Sequence, residues 1–160
     1  MLRGALQRLE GMIGEWSGEV TRPGEPASRL FLSVAALYDG TVVEIESRGY
    51  APEGHYLFGS LGYLCECADG GLRYSLYSSS FGALVMREAP DEPDTLLLQC
   101  ALDTDRTFHA TLALDGDVLS VASAISRDGK PPPRSQRILS QMQRLNTRQR
   151  RLLSRKAGVE

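Results

Sequence analysis

The sequence predicts an all-β protein: a roughly ten-stranded antiparallel up-and-down barrel with a short N-terminal helix and a C-terminal basic helical tail. Three observations carry that expectation. Turn signals at Asp39-Gly40, Asp69-Gly70-Gly71, Asp103-Thr104-Asp105, Asp115-Gly116 and Asp128-Gly129, with loops near 23, 51 and 90, recur mostly every 10 to 18 residues. Apolar residues between them alternate with a period of two, and no helical segment separates the strands, which argues against βαβ units. A meander of that many strands curls, and closure removes the edges that invite aggregation.

The elements follow in order. Leu2, Leu6, Leu9 and Ile13 recur at helical spacing, so a short helix precedes the first strand. In Gly14-Glu15-Trp16-Ser17-Gly18-Glu19-Val20 alternate side chains share a face, which sets the only tryptophan between two bare positions. The expectation is an indole lying across neighbouring backbone and plugging one end of the barrel. Arg22-Pro23-Gly24-Glu25-Pro26 ends that strand. Leu30 to Leu37 is apolar on both faces, and Thr41 to Arg48 sets Val43 and Ile45 against Glu44 and Glu46. Gly59 and Gly62 interrupt the run from His55 to Cys67, where a barrel strand can bend. Tyr74, Leu76 and Ser78 alternate with Arg73, Ser75 and Tyr77, and Phe81 to Arg87 reads as the next strand. Leu96, Leu98, Cys100 and Leu102 form a strict stripe that Phe108, Ala110, Leu112 and Leu114 repeat before Val118 to Ser126 runs back. Pro131 to Pro133 end the regular part, and Arg134 to Leu145 supplies a tenth strand. Residues 1–145 therefore form the barrel domain and 146–160 the basic tail.

With 160 residues the chain is one domain by length, and 42% hydrophobic against 24% charged residues excludes a disordered chain. No run approaches the roughly 18 apolar residues a membrane span needs, and no apolar signal core opens the chain. A cytoplasmic location is the expectation. Cys65, Cys67 and Cys100 are read as packed thiols in a reducing compartment, because residues two apart on one strand make a poor disulfide. A net charge of −2 predicts no nucleic-acid partner, although Lys130 to Lys156 carries nine basic residues and no acidic one.

Gly14-x-Trp16-x-Gly18 after a short helix resembles the opening of the calycins, the lipocalin and fatty-acid-binding group of ligand-holding barrels. More closely, Ile13 to Glu19, the Asp39-Gly40 hairpin followed by Val43 to Gly49, and the Gly59-to-Tyr63 bend are similar to a lipocalin-like domain family of unknown function related to nitrobindins. The similarity runs from about residue 5 to residue 127. It implies a ten-stranded barrel that holds a small molecule, and nitrobindins hold haem b through a histidine near the end of the chain. Arg134 to Leu145 contains no histidine, and Val20 stands where nitrobindins carry a third glycine. A haem cofactor would therefore need His109 or His55.

The candidate ligand-binding residues are Trp16, Tyr63, Tyr74, Tyr77, Phe108, His109 and Arg137. Trp16 offers a stacking face, the tyrosines offer hydroxyls on an apolar wall, and Phe108 belongs to the second stripe. His109 is a surface residue if the leucine stripe faces the lumen, and a binding or acid–base residue if the Thr107-His109-Thr111 face does. Arg106, Arg134 and Arg137 could each present a guanidinium to a carboxylate. There is no G-x-S-x-G elbow, no phosphate-cradling loop and no four-ligand metal set, so the residues name no catalytic centre. The expected function is non-catalytic binding of a small apolar or amphipathic, lipid- or fatty-acid-like molecule. The alternatives are an adaptor with a packed barrel and a basic tail, and a haem-binding protein of the nitrobindin kind. The partners expected are the ligand and a second copy of the chain, as a homodimer.

Overall fold

Period-two patterning and turn glycines build ten strands in the computed structural model, which describes residues 1–89, 95–133, 137–146 and 148–150. They are β1 (Gly14–Thr21), β2 (Ser28–Leu37), β3 (Val42–Tyr50), β4 (Tyr56–Glu66), β5 (Leu72–Ser78), β6 (Gly82–Ala89), β7 (Thr95–Ala101), β8 (Thr107–Asp115), β9 (Val118–Ser126) and β10 (Ile138–Arg144). Each pairs antiparallel with the next, and β1 pairs with β10, so the barrel closes as a simple meander. The tenth strand begins later than its pattern suggested, and positions 134–136 lie outside the described residues.

The N-terminal helix is a 3-10 helix, Gly4–Met12. Its three-residue turn explains the sequence: Leu6, Leu9 and Met12 stack on one face and are buried with Leu2 against the barrel floor. Runs of 3-10 helix this long are uncommon, and tertiary bonds hold this one. The Ala5 amide donates to Glu66 (3.0 Å), Arg8 pairs with Glu88, and the Arg144 guanidinium donates to the Ile13 (2.5 Å) and Gly11 (2.7 Å) carbonyls at the helix end. The Asp39-Gly40 turn anchors the other side. Tyr38, Asp39 and Gly40 all have positive φ (48°, 55° and 80°), and the Arg3 amide donates to the Gly40 carbonyl at 2.9 Å. The Met1 and Leu2 backbone occupies the space a Cβ on Gly40 would need, so glycine is required there both for φ and for contact.

Trp16 is fully buried beneath the helix, its Nε1 donating to the Met12 carbonyl at 2.9 Å. The Arg144 guanidinium lies 4.3 Å from the ring centre. The glycines beside Trp16 have a different use from the one expected. A Cβ at Gly14 would strike that guanidinium, and one at Gly18 would strike the Gln141 carbonyl, so they make room chiefly for β10. Gly49 and Gly62 likewise admit rings: Phe58 lies over the first and Tyr74 over the second, while β4 runs unbroken through Gly59 and Gly62. The pairing irregularity falls one strand earlier, at Gly49/Tyr50.

Inward-facing residues at the helix end, among them Leu64, Met86, Leu98, Leu119 and Met142, are 0% exposed. The floor half of the barrel is a solid core. Of the tail, Arg148 to Arg150 is helical, started by reciprocal bonds between Asn146 and Gln149 (2.9 and 3.0 Å) and tied to β1 by an Arg150–Glu15 ion pair at 2.9 Å. The remainder of the expected helical tail, 151–160, lies outside the described residues. Among the described residues no helix is long and apolar enough to cross a membrane.

Candidate functional site

The register decides which stripe faces inward. Leu96, Leu98 and Cys100 pair with Leu112, Ala110 and Phe108, and these pack into the core with Leu119. The leucine stripe thus lines the lumen. At the end opposite the helix the same inward faces carry Phe58, Leu76, Leu84, Phe108, Ile125 and Ile138, none of them fully buried, with Ile125 at 42% exposure. Pairing continues this apolar wall around the mouth: Leu76 opposes Leu84, and Phe108 opposes Ile125. Hydroxyls punctuate it, since Ser47 and Ser60 share a hydrogen bond of 2.8 Å and Ser60 pairs with Ser78.

The wall is incompletely zipped beside this mouth. Among the described residues β6 and β7 share the pairs Arg87↔Gln99, Glu88↔Leu98 and Ala89↔Leu97, and on the mouth side the ladder stops at Arg87↔Gln99. Cys100 and Ala101, which would continue the ladder opposite Met86 and Val85, pair with β8 alone. Phe81, on the β5–β6 turn, reaches over this gap to Phe108, with ring centres 5.2 Å apart. A depression of about 570 Å³ lies at the floor between Met1 to Arg3 and the β2–β3 turn. It is open, lined by terminal backbone with Gln7 and Asp39, and gathers no convergent reactive groups.

His109 resolves in neither of the two ways its pattern offered. It points outward from β8, yet it is 2% exposed. Pro131 and Arg137, from the segment after β9, line a slot over the outer wall together with His109, Thr111 and Ala122. Its Nε2 and the Ser126 hydroxyl are 2.8 Å apart, and its Nδ1 has no partner among the described residues. Burial and the nearby Arg137 charge hold the imidazole pKa below the ordinary range, with Asp128 opposing them. The folded protein therefore refuses a proton that the unfolded chain accepts. Stability should be full above the unfolded value near 6.5 and fall as pH drops through it toward the folded value, by at most about 1.4 kcal/mol per pH unit. Urea unfolding at a series of pH values checks this, and His109→Gln should flatten that part of the profile.

The other candidates are distributed over the barrel. Trp16 belongs to the floor. Tyr74 faces inward at 6% exposure, donating to the Ile45 carbonyl at 3.3 Å, and burial raises its phenol pKa. Tyr63 and Tyr77 face outward at 43% and 67% exposure. Arg137 lies on the outer side, its Nε donating to the Pro132 carbonyl at 2.7 Å, and Arg106 pairs with Asp103 at 2.7 Å in the β7–β8 turn. Arg134 lies outside the described residues. Of the seven candidates, Phe108 alone stands at the mouth. Its companions Phe58, Leu76 and Ile125 were legible only through the parity they share with Leu64, Tyr74 and Val121.

The three cysteines are free thiols. Neither histidine offers an imidazole to the lumen, because His55 sits in the exposed β3–β4 loop 3.2 Å from Glu53 and His109 lies outside the wall. The residues present therefore do not fit a histidine-ligated haem inside the barrel. No group of three or more potential metal ligands occurs among the described residues.

The fold is similar to the crystal structure of Rv2717c from M. tuberculosis, at 20% identity and a TM-score of 0.63, over 91% of this chain and 100% of that one. A de novo designed fluorescence-activating β-barrel aligns at 16% identity and a TM-score of 0.44 over 83% and 93% of the two chains. A redesigned β-barrel aligns at 12% identity and 0.47 over 91% and 98%. No protein-family model matches the chain, and no curated protein sequence matches it. The likeness to Rv2717c is one of fold.

Proposed function

We propose that the protein is a non-catalytic carrier of a small apolar or amphipathic molecule, received at the barrel mouth. The observation that carries this reading is the contrast between the two halves of one inner wall: solid and dry at the floor, apolar but incompletely covered at the mouth. Apolar walls with scattered hydroxyls are the usual make-up of small-molecule sites. The gap between β6 and β7 gives the wall a place to yield, and the Phe81–Phe108 contact is the piece that must shift as a ligand seats. An environment-sensitive apolar dye should bind with saturable fluorescence, and Phe108→Asp should abolish the signal while leaving the far-UV circular dichroism unchanged. Equal dye binding by that variant would overturn the reading.

A second reading rests on a different observation. Leu61, Tyr63, Tyr77 and Val85 are 42% to 67% exposed on the outer face of β4 to β6, where Leu61 pairs with Tyr77. Such a patch is what an adaptor, or a second copy of the chain, would cover. Under this reading Tyr77→Lys, and not Phe108→Asp, disrupts association in sedimentation or pull-down measurements.

A further inference from the structure

We infer that Arg22 is the anchor for an anionic, carboxylate-type head group on the ligand carried at the mouth. This rests on the carrier reading above and narrows it from apolar molecules in general to acid amphiphiles. Arg22 follows β1 with the parity of Trp16, Gly18 and Val20, so it continues the inward face beyond the strand and arrives at the mouth rim. There its guanidinium carbon lies 4.8 Å from the centre of the Phe58 ring. Phe58 is itself one of the half-buried walls of the mouth, its ring laid over the bare Gly49. The charge and the apolar wall are therefore in contact.

The hydrogen-bond inventory of this guanidinium is incomplete. Its ion-pair partner is Glu25, reached through Nη1 at 3.9 Å, beyond hydrogen-bond range, across an exposed turn. Its Nε is shielded from solvent and has no partner among the described residues, and no bond of Nη2 is found there either. Nε–H and Nη2–H form the side-on edge of the fork, the edge that takes a carboxylate through two parallel bonds. An orphaned donor shielded from water is costly unless something satisfies it. A carboxylate seated on that edge supplies two acceptors, leaving its hydrocarbon chain to run over Phe58 and Leu76 into the mouth. Glu25, on the Nη1 side of the same guanidinium, is then a like charge that weakens the hold on the ligand carboxylate.

Titrating the full chain with a dansyl-labelled long-chain fatty acid and with its methyl ester tests this. The acid should bind at least about tenfold more tightly than the ester, the scale of a charge-assisted pair. Arg22→Gln should remove that difference by weakening the acid alone, and Glu25→Gln should tighten the acid alone. The anchor is overturned if acid and ester bind equally to the unaltered protein, or if either substitution leaves the acid-to-ester ratio unmoved. Should Arg22→Gln fail to fold, the Glu25→Gln titration and the wild-type ratio decide by themselves. If neither probe binds the unaltered protein, the carrier reading fails and takes the anchor with it; if both bind equally, the anchor alone fails.

Discussion

Trp16→Ala should lower unfolding free energy by about 3–5 kcal/mol, a large share of the roughly 5–15 kcal/mol typical of a domain. The indole is 0% exposed and sits where β1, β10 and the 3-10 helix meet. Truncation would leave a void under Leu6 and Leu9, strand the Met12 carbonyl that now accepts its N–H, and remove the face on which Arg144 rests. Trp16→Phe separates these effects, since it retains most of the apolar volume and loses only the hydrogen bond, at about 1–3 kcal/mol. The unfolding must be followed by circular dichroism, because the chain has one tryptophan and the variants have none.

Leu6→Asp should be at least as damaging at neutral pH. Leu6 is 1% exposed within the floor, among Leu2, Leu9 and Met12. Leu→Ala changes at such sites cost about 2–5 kcal/mol through the cavity alone, and an unpaired carboxylate adds its desolvation. Burial raises the pKa of such a carboxyl, so the folded state takes up a proton more readily than the unfolded one. The penalty is therefore fully present above the raised folded value and shrinks as pH falls through it. An unfolding midpoint that recovers on mild acidification relative to Leu6→Asn would show this; a deficit independent of pH would point to the cavity instead.

The barrel was legible because its evidence is local: alternation within strands and glycine-bearing turns between them specify a meander without knowledge of any distant contact. The floor was nearly as legible, since Trp16, Leu2, Leu6 and Leu9 identify themselves, but the α-helical spacing carries that stripe to Ile13, whereas the three-residue turn buries Met12 and leaves Ile13 half-buried. The site was less so. Parity places Tyr63 with Cys65 and Tyr77 with Arg73 on the outer wall, a reading available from the Tyr74-Leu76 stripe once that stripe is known to face inward. His109 could not be placed by parity, because its cover comes from the proline-bearing segment some twenty residues later, packed against the wall from outside. Arg22 was passed over because Arg22-Pro23-Gly24 reads as a turn. Its signal was its even spacing from Trp16 and Val20.

Joining β1 to β10 has a consequence for biosynthesis. Trp16 opposes Arg144, so β1 finds its second neighbour only after the eight strands between them have been made. Contacts so distant in sequence fold slowly. Through that interval a nascent hydrogen-bonding edge and the lumen lining remain bare, which leaves the folding chain open to edge-to-edge association.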